Sequence, residues 1–347
     1  MKTASPVVKT TCAYCGVGCG VSMQPQADGF AASGDPAHPA NRGRLCVKGS
    51  ALGETLGLQG RLLQPEIHHQ PVSWPQALDA VAQGLQATID EHGPQSVAFY
   101  GSGQLLTEDY YVANKLMKGF IGAGNMDTNS RLCMASAVVG YKRAFGADAV
   151  PCNYDDLEQA DCVILVGSNT AWAHPVVYQR LAKAKAERPE MQIIVVDPRK
   201  TATCDIADLH LALRPSSDAA LFCGALNEMA ARGKLDTAFL QHHTNGAEET
   251  LQTAKAWSLE KTADYCGIAS SQLQAFYQRI ARSQRLVTLY SMGINQSSSG
   301  VDKCNAIINL HLATGQIGHA GSGPFSITGQ PNAMGGREVG GLANQLA

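Results

Sequence analysis

Four cysteines near the amino end have the spacing of a metal-cluster site. Cys12-x2-Cys15-x3-Cys19 places three thiols on one short loop, and Cys46 follows after a further 26 residues. Three thiolates on a tight loop, with a fourth brought from afar, suit the four iron corners of a cubane. Gly16, Gly18 and Gly20 let the loop adopt unusual φ values and aim backbone N–H groups at sulfur. Structural zinc is the alternative. Zinc modules usually bring two CxxC or CxxC/HxxxH pairs, whereas here the second half offers one cysteine without a paired partner. A cluster with no other cofactor makes an electron carrier. Lys48 lies two residues past Cys46. It is either a solvated surface cation or a fixed charge beside the cluster that stabilises electron density and bridges to a second redox centre.

The elements that must position further chemistry follow this module. Ser96–Tyr100, Asp161–Val166, Gln192–Val196, Leu209–Leu213 and Arg285–Tyr290 read as short, fully apolar strands. Helical stretches over Thr107–Phe120, Pro175–Glu187, Asp218–Arg232 and Val301–Thr314 alternate with them, Gly233 capping the third. Such alternation predicts an α/β fold with doubly wound, mostly parallel sheets covered on both faces. Ligands of these sheets sit at the carboxyl ends of the strands. Polar and Gly-rich segments fall at those ends: Gly101–Gln104, Gly167–Asn169, Asp197–Arg199, Pro215–Asp218 and Met292–Gln296. They predict a large phosphate-bearing ligand held by backbone N–H groups and helix starts, although Gly and Ser also simply make turns. None is a GxGxxG or a Walker A sequence. Gly323–Ala347 reads as Gly-rich with no closing helix or strand, which points to a chain that is part of a longer one.

Composition excludes several classes. The 347 residues carry 27 Lys+Arg and 29 Asp+Glu, a formal net charge of −2, and only 16% are charged against 45% hydrophobic. That balance excludes a disordered chain and a polybasic nucleic-acid binder. The apolar runs, such as Cys162–Val166, fall far short of the roughly 20 residues that span a bilayer, so no membrane span is expected. Eleven cysteines, an odd and scattered set, argue against a disulfide framework. Met1–Thr10 shows neither a secretory nor a twin-arginine leader, so the expected compartment is the cytoplasm.

Thr11–Gly20 (TCAYCGVGCG) and Arg44–Gly49 (RLCVKG) resemble the molybdopterin oxidoreductase family. Asn129–Ser136 (NSRLCMAS) resembles the molybdenum-ligand segment of its prokaryotic nitrate reductases, and Thr328–Glu338 (TGQPNAMGGRE) their substrate-funnel segment. The likeness is strongest to the catalytic subunits of the bacterial assimilatory type. It covers essentially the whole chain and corresponds to about the first half of such a subunit.

The resemblance implies a [4Fe–4S] cluster on Cys12, Cys15, Cys19 and Cys46, with Lys48 between it and one pterin. It implies Mo-bis(molybdopterin guanine dinucleotide), with Cys133 as the thiolate ligand of molybdenum. Cofactor contacts are expected from Lys48, Gln104 and Asn129. They are also expected from the run Val166, Gly167, Ser168, Asn169, Thr170, Ala171, Trp172 and Ala173. Asp197, Pro198, Arg199, Lys200 and Thr201 would add to them, as would Ser216, Ser217, Asp218, Met292 and Gln296. Asp197 suits a ribose or guanine N–H donor, or merely an Asp-Pro turn. His174 reads as helix-start packing rather than a ligand. Cys133, Lys48 and Arg337 are the residues expected to act in the chemistry, the guanidinium of Arg337 matching a planar oxyanion. Without its neighbours Cys133 would read as a core residue.

The implied reaction is reduction of nitrate to nitrite. The implied donor is an NAD(P)H-dependent flavoprotein reductase, a ferredoxin or a flavodoxin. Alternatives are a periplasmic-type nitrate reductase, a formate dehydrogenase, or a non-catalytic cluster-bearing electron-transfer subunit. Formate dehydrogenases of the family typically place His after their Cys or selenocysteine, and here Met134 follows. The expected domains are a cluster domain over 1–56, a discontinuous α/β domain over 57–135 and 320–347, and a Rossmann-like domain over 136–319. The isolated 347 residues are expected to bind cofactor poorly and to be inactive.

Overall fold

The computed structural model describes residues 6–340. The start of the leader reading and residues 341–347 of the discontinuous domain lie outside them. The chain divides into two compact units, Met1–Leu132 with Gln330–Ala347, and Cys133–Gly329.

The first unit opens with β1 (Val8–Thr11), β2 (Gly20–Gln26) and β3 (Gly29–Gly34), paired antiparallel. Three paired strands thus frame the cysteine loop. Val21 and Met23 are buried while Ser22 and Gln24 are half-buried, the period-two pattern of a strand with one face on a core. Short α1 (Val47–Ser50) follows Cys46 directly. A small hairpin, β4 (Glu66–Ile67) and β5 (Gln70–Pro71), leads to α2 (Trp74–His92). Ser73 and Gln76 form a capping box that starts α2. Strands β6 (Phe99–Gly101) and β7 (Met126–Thr128) pair in parallel. Between them, α3 (Thr107–Asn114) continues as a π-helical stretch over Lys115–Ile121 and stops at Gly122, φ +79°. The unit boundary falls inside α4 (Ser130–Phe145).

The second unit begins with the rest of α4, then α5 (Tyr154–Gln159) and β8 (Cys162–Val166). After β8 come α6 (Thr170–Ala173), α7 (Pro175–Glu187), β9 (Gln192–Val196) and β10 (Leu209–Leu211). Five helices follow: α8 (Asp218–Ala231), α9 (Thr237–His243), α10 (Ala247–Ala254), α11 (Leu259–Cys266) and α12 (Ser270–Arg282). The unit closes with β11 (Leu286–Tyr290), α13 (Met292–Asn295), α14 (Gly300–Ala313) and β12 (Gly323–Ser326). The sheet order is β10-β9-β8-β11-β12, parallel throughout. Every residue of β8 and β11 is buried. This is why β8 reads as an unbroken apolar run and β11 as one broken only by Thr288, whose hydroxyl pairs with His311. Among the described residues no helix is long and apolar enough to cross a membrane.

Strand β12 and α15 (Ala333–Glu338), which returns to the first unit, correct the expectation that no strand or helix follows Gly323. Gly323 takes φ +148° and Pro324 has no N–H to donate, so both suit an edge strand, and both hide it from propensity.

His311 is buried within α14. Its Nδ1–H donates to the Gln316 carbonyl at 2.9 Å, and its Nε2 accepts from the Thr288 hydroxyl at 2.8 Å. Burial lowers its pKa from 6.5 to about 4, against the raising effect of the Gln316 carbonyl. The folded imidazole therefore stays neutral while the unfolded one gains a proton below 6.5. Its contribution is complete above that pH and is lost as pH falls toward 4, roughly 3 kcal/mol in all. Urea titrations between neutrality and pH 4 should show this decline, and His311→Gln should flatten that part of the slope.

Candidate cofactor sites

In the first unit the cysteine loop joins β1 to β2, and the Cys12 N–H donates to the Cys19 carbonyl at 2.8 Å. Gly18, at φ +64°, lets the chain reverse between Cys15 and Cys19. Cys12, Cys15 and Cys19 are buried, and Cys46, half-buried, stands at the start of α1. Burial is the main force raising the Cys12 and Cys15 thiols, and it pushes Cys19 up to about 12, with the charges of Cys15, Cys12 and Cys46 adding. Lys48 pulls Cys12 and Cys15 the other way. The four thiols and one ammonium thus share a single electrostatic neighbourhood. Among the described residues no three His, Cys, Asp or Glu side chains gather as a single metal ion requires. A polynuclear cluster asks for sulfurs at its corners instead, which is what this loop and Cys46 offer.

Three segments meet at the carboxyl ends of β6 and β7. Asn129 Oδ1 accepts the Gly103 N–H at 2.7 Å, and the Asn332 N–H donates to the Gly103 carbonyl at 3.0 Å. A Cβ on Gly103 would come within 2.5 Å of Ser130 Oγ and 2.8 Å of Gln330, so only glycine fits there. Gln104 Nε2 donates to the Ala13 carbonyl inside the cysteine loop at 3.0 Å. Gln104, Asn129 and the cysteine loop are therefore brought together. Ser130 Oγ is buried with no partner among the described residues. Such a donor waits for an acceptor. Arg337 lies half-buried on α15, which packs on α3 through Gly336 and the Tyr110 ring.

The second unit places its expected residues along one edge of the sheet. From β8 the chain proceeds outward to β9 and β10, whereas β11 and β12 lie on the other side. The reversal between β8 and β11 is a topological switch point, where such sheets form a ligand crevice. Gly167 (φ +55°) follows β8 and Gly293 follows β11, and the Gly293 N–H donates to the Gly167 carbonyl at 2.9 Å. A Cβ on Gly293 would lie 2.6 Å from the Gly167 Cα. Backbone cannot step aside as a side chain can, so Gly293→Ala should cost about 1–3 kcal/mol. A lowered unfolding midpoint checks this, and an unchanged one would show that the loops part freely.

Around these glycines, the buried hydroxyls of Ser168 and Thr170 lie 2.9 Å apart. Asn169 Oδ1 accepts from Thr203 Oγ1 at 3.1 Å, and Thr203 Oγ1 also accepts the Ala171 N–H at 3.2 Å. Trp172, on α6, is 71% exposed. Asp197 Oδ1 accepts the Arg199 N–H at 2.9 Å, so this carboxylate shapes its own turn. Arg199 and Lys200 are exposed, and Thr201 caps a 3-10 turn over Ala202–Ile206. Ser216 takes φ +72°, the Ser217 hydroxyl donates to the Arg214 carbonyl at 2.7 Å, and Asp218 pairs with Lys303 at 2.8 Å. Met292 opens α13 and Gln296 is its C-cap. His174 Nε2 donates to the Thr328 carbonyl at 2.7 Å from the start of α7.

Cys133 is 5% exposed in the first turn of α4, beside Met134. Asn295 Nδ2 donates to Met134 Sδ at 3.1 Å, and the Cys304 thiol donates to Asn295 Oδ1 at 3.6 Å. Glycines let α4 and α14 approach closely: Gly300 abuts Ser136, and a Cβ on Gly140 would lie 2.8 Å from Cys304 Cβ. Gly293, Asn295 and Asn332 fall inside segments marked in the sequence for a ligand, but their partners do not show there, and Thr203 and Lys303 stand outside every such segment. Each acts through a partner far away in sequence.

Residues 61–347 match the family described as Molybdopterin oxidoreductase, and residues 5–56 match its Fe4S4 domain. The chain belongs to the molybdopterin oxidoreductase family, and the two matches indicate a molybdopterin cofactor and a 4Fe–4S cluster. It is 62% identical over 340 residues to a nitrate reductase of Klebsiella oxytoca, covering 98% of this chain and 39% of the relative. It is 52% identical to a nitrate reductase of Shewanella frigidimarina, over 98% of this chain and 37% of that one. It is 44% identical to a periplasmic nitrate reductase of Desulfovibrio desulfuricans, over 98% of this chain and 47% of that one. The chain thus spans about two fifths to half the length of these relatives. In fold it is similar to acetylene hydratase from Pelobacter acetylenicus, with a TM-score of 0.78 at 22% identity over 88% of this chain and 43% of that one.

The donors present fit both groups. Four thiols in one electrostatic neighbourhood suit the cluster. In the second unit a glycine-lined crevice with buried hydroxyls, and in the first unit the orphaned Ser130 hydroxyl, each offer donors to a ligand rich in acceptors.

Proposed function

We propose that this chain is the cofactor-holding part of an assimilatory nitrate reductase that works in the cytoplasm. In this reading Cys12, Cys15, Cys19 and Cys46 hold the [4Fe–4S] cluster and Cys133 holds molybdenum. The strand-end loops hold the two guanine dinucleotide arms of the bis-pterin cofactor. That cofactor supplies oxygen-atom transfer from nitrate, which with two electrons and two protons leaves nitrite and water. Lys48 places a fixed cation beside Cys12 and Cys15, so it favours arrival of an electron at the cluster. Arg337 attracts and orients the anion through paired N–H donors. Electrons come from a flavoprotein reductase, a ferredoxin or a flavodoxin.

The observation that carries this reading is the 62% identity across 98% of the chain to a nitrate reductase. Met134 after Cys133 favours nitrate over formate as substrate, and the buried thiol favours an enzyme over a cluster-only carrier. In the holoenzyme supplied with a strong artificial donor, nitrite should form with one nitrate consumed per two electrons, and formate should be inert. Formate oxidation with nitrate untouched, or iron without molybdenum from molybdenum-replete cells, would replace the reading.

A further inference from the structure

Lys303 is 2% exposed, and its ammonium lies 2.8 Å from Asp218 Oδ2, itself on a side chain 10% exposed. The two helices that carry the pair also supply apolar core residues: Phe222 and Leu221 from α8, Cys304, Ile307 and Ile308 from α14. An ionic pair in such a place is seldom the most stable filling, because desolvating both charges costs as much as their attraction returns. Its presence calls for a role beyond cohesion.

The segment before Asp218 is held by other means. The Arg214 N–H donates to the Cys266 carbonyl at 2.7 Å, and Arg214 Nη1 donates to the Asp264 carbonyl at 2.8 Å. The Ser217 hydroxyl closes on the Arg214 carbonyl, and Ser216 sits in the left-handed region, rare for a residue with a Cβ. These contacts fix the backbone from Arg214 to Ser217. The Asp218 carboxylate is held by Lys303 alone, and Oδ1 has no donor among the described residues. A carboxylate has lone pairs on both oxygens, so pairing at Oδ2 leaves Oδ1 able to accept from a ligand N–H.

We infer that Lys303 is a positioning residue for the cofactor. It holds the Asp218 carboxylate by Oδ2, so that Oδ1 meets N–H donors of the cofactor's nucleotide end. The inference rests on the reading that this segment contacts a guanine dinucleotide.

The test uses holoenzyme from molybdenum-replete cells. Molybdenum and acid-released guanine nucleotide are measured per cluster iron, alongside the thermal unfolding midpoint. Lys303→Met should keep its iron but retain no more than about a tenth of the parent's molybdenum and guanine nucleotide. The double variant Lys303→Met/Asp218→Leu replaces the ion pair by apolar groups. It should recover the parent's midpoint while remaining poor in cofactor, which separates positioning from folding. Lys303→Met with the parent's molybdenum and nucleotide ratios would overturn the inference alone. So would a double variant that recovers both midpoint and cofactor. A parent that itself carries iron but no molybdenum would overturn the underlying reading and this inference together.

Discussion

Cys133→Ser in the holoenzyme is expected to leave less than about one hundredth of the parent's nitrate reduction, with iron content unchanged. Removing an outer partner of a metal ligand already costs 10–100-fold, so removing the ligand costs at least that. Serine is nearly isosteric, and a helix first turn accepts it. The packing of α4 through Met134, Ser136 and Gly140 is untouched by the change. What changes is the donor: a soft thiolate becomes a hard hydroxyl that ionises far less readily. The unfolding midpoint should therefore stay near the parent's while turnover collapses. A serine variant reducing nitrate as fast as its parent would end the assignment of Cys133 to molybdenum.

The second large effect is expected at the cluster. Burial holds the Cys12 and Cys15 thiols protonated, and Cys19 most of all, at about 12. Only a metal that binds sulfur strongly displaces those protons, so cluster assembly and the folding of this module are one equilibrium. Cys19→Ser should lower iron per chain by about tenfold or more. The module's own apolar core is small, chiefly Val17, Val21, Met23 and Ala40. Without the cluster as a staple it should be cut by protease across residues 6–56 while the second unit survives. Full iron content and unchanged protease resistance in Cys19→Ser would show that another residue completes the cluster.

Much of this organisation is legible in the chain itself, for local reasons. Pro175 fixes the start of α7, and Asp197-Pro198 ends the run Gln192–Val196, so both elements stand where the sequence places them. The cysteine spacing is equally local. Other features depend on partners that periodicity does not see. The helix from Thr107 shifts to π geometry at Lys115 although nothing there breaks a helix pattern. Met292–Asn295 reads as a loop but coils into α13, because Gly293 must close on Gly167 and Asn295 must reach Met134. For Asp197 the sequence leaves a ligand contact and a turn both open, and the carboxylate bonds its own turn. The pairing of Asp218 with Lys303 spans 85 residues, and no local pattern announces it.

Strand β12 ends at Ser326, and from Gln330 onward the chain belongs again to the first unit. There Asn332 satisfies the Leu105 carbonyl, and the Val339 and Gly340 carbonyls receive Asn114 and Lys118. On the ribosome this dictates a sequence of events. Residues 133–329 form an unbroken stretch and can close as soon as they emerge. The stretch translated first waits for those partners until some 200 further residues have been added, so among the described residues the part made earliest is completed after the part that follows it.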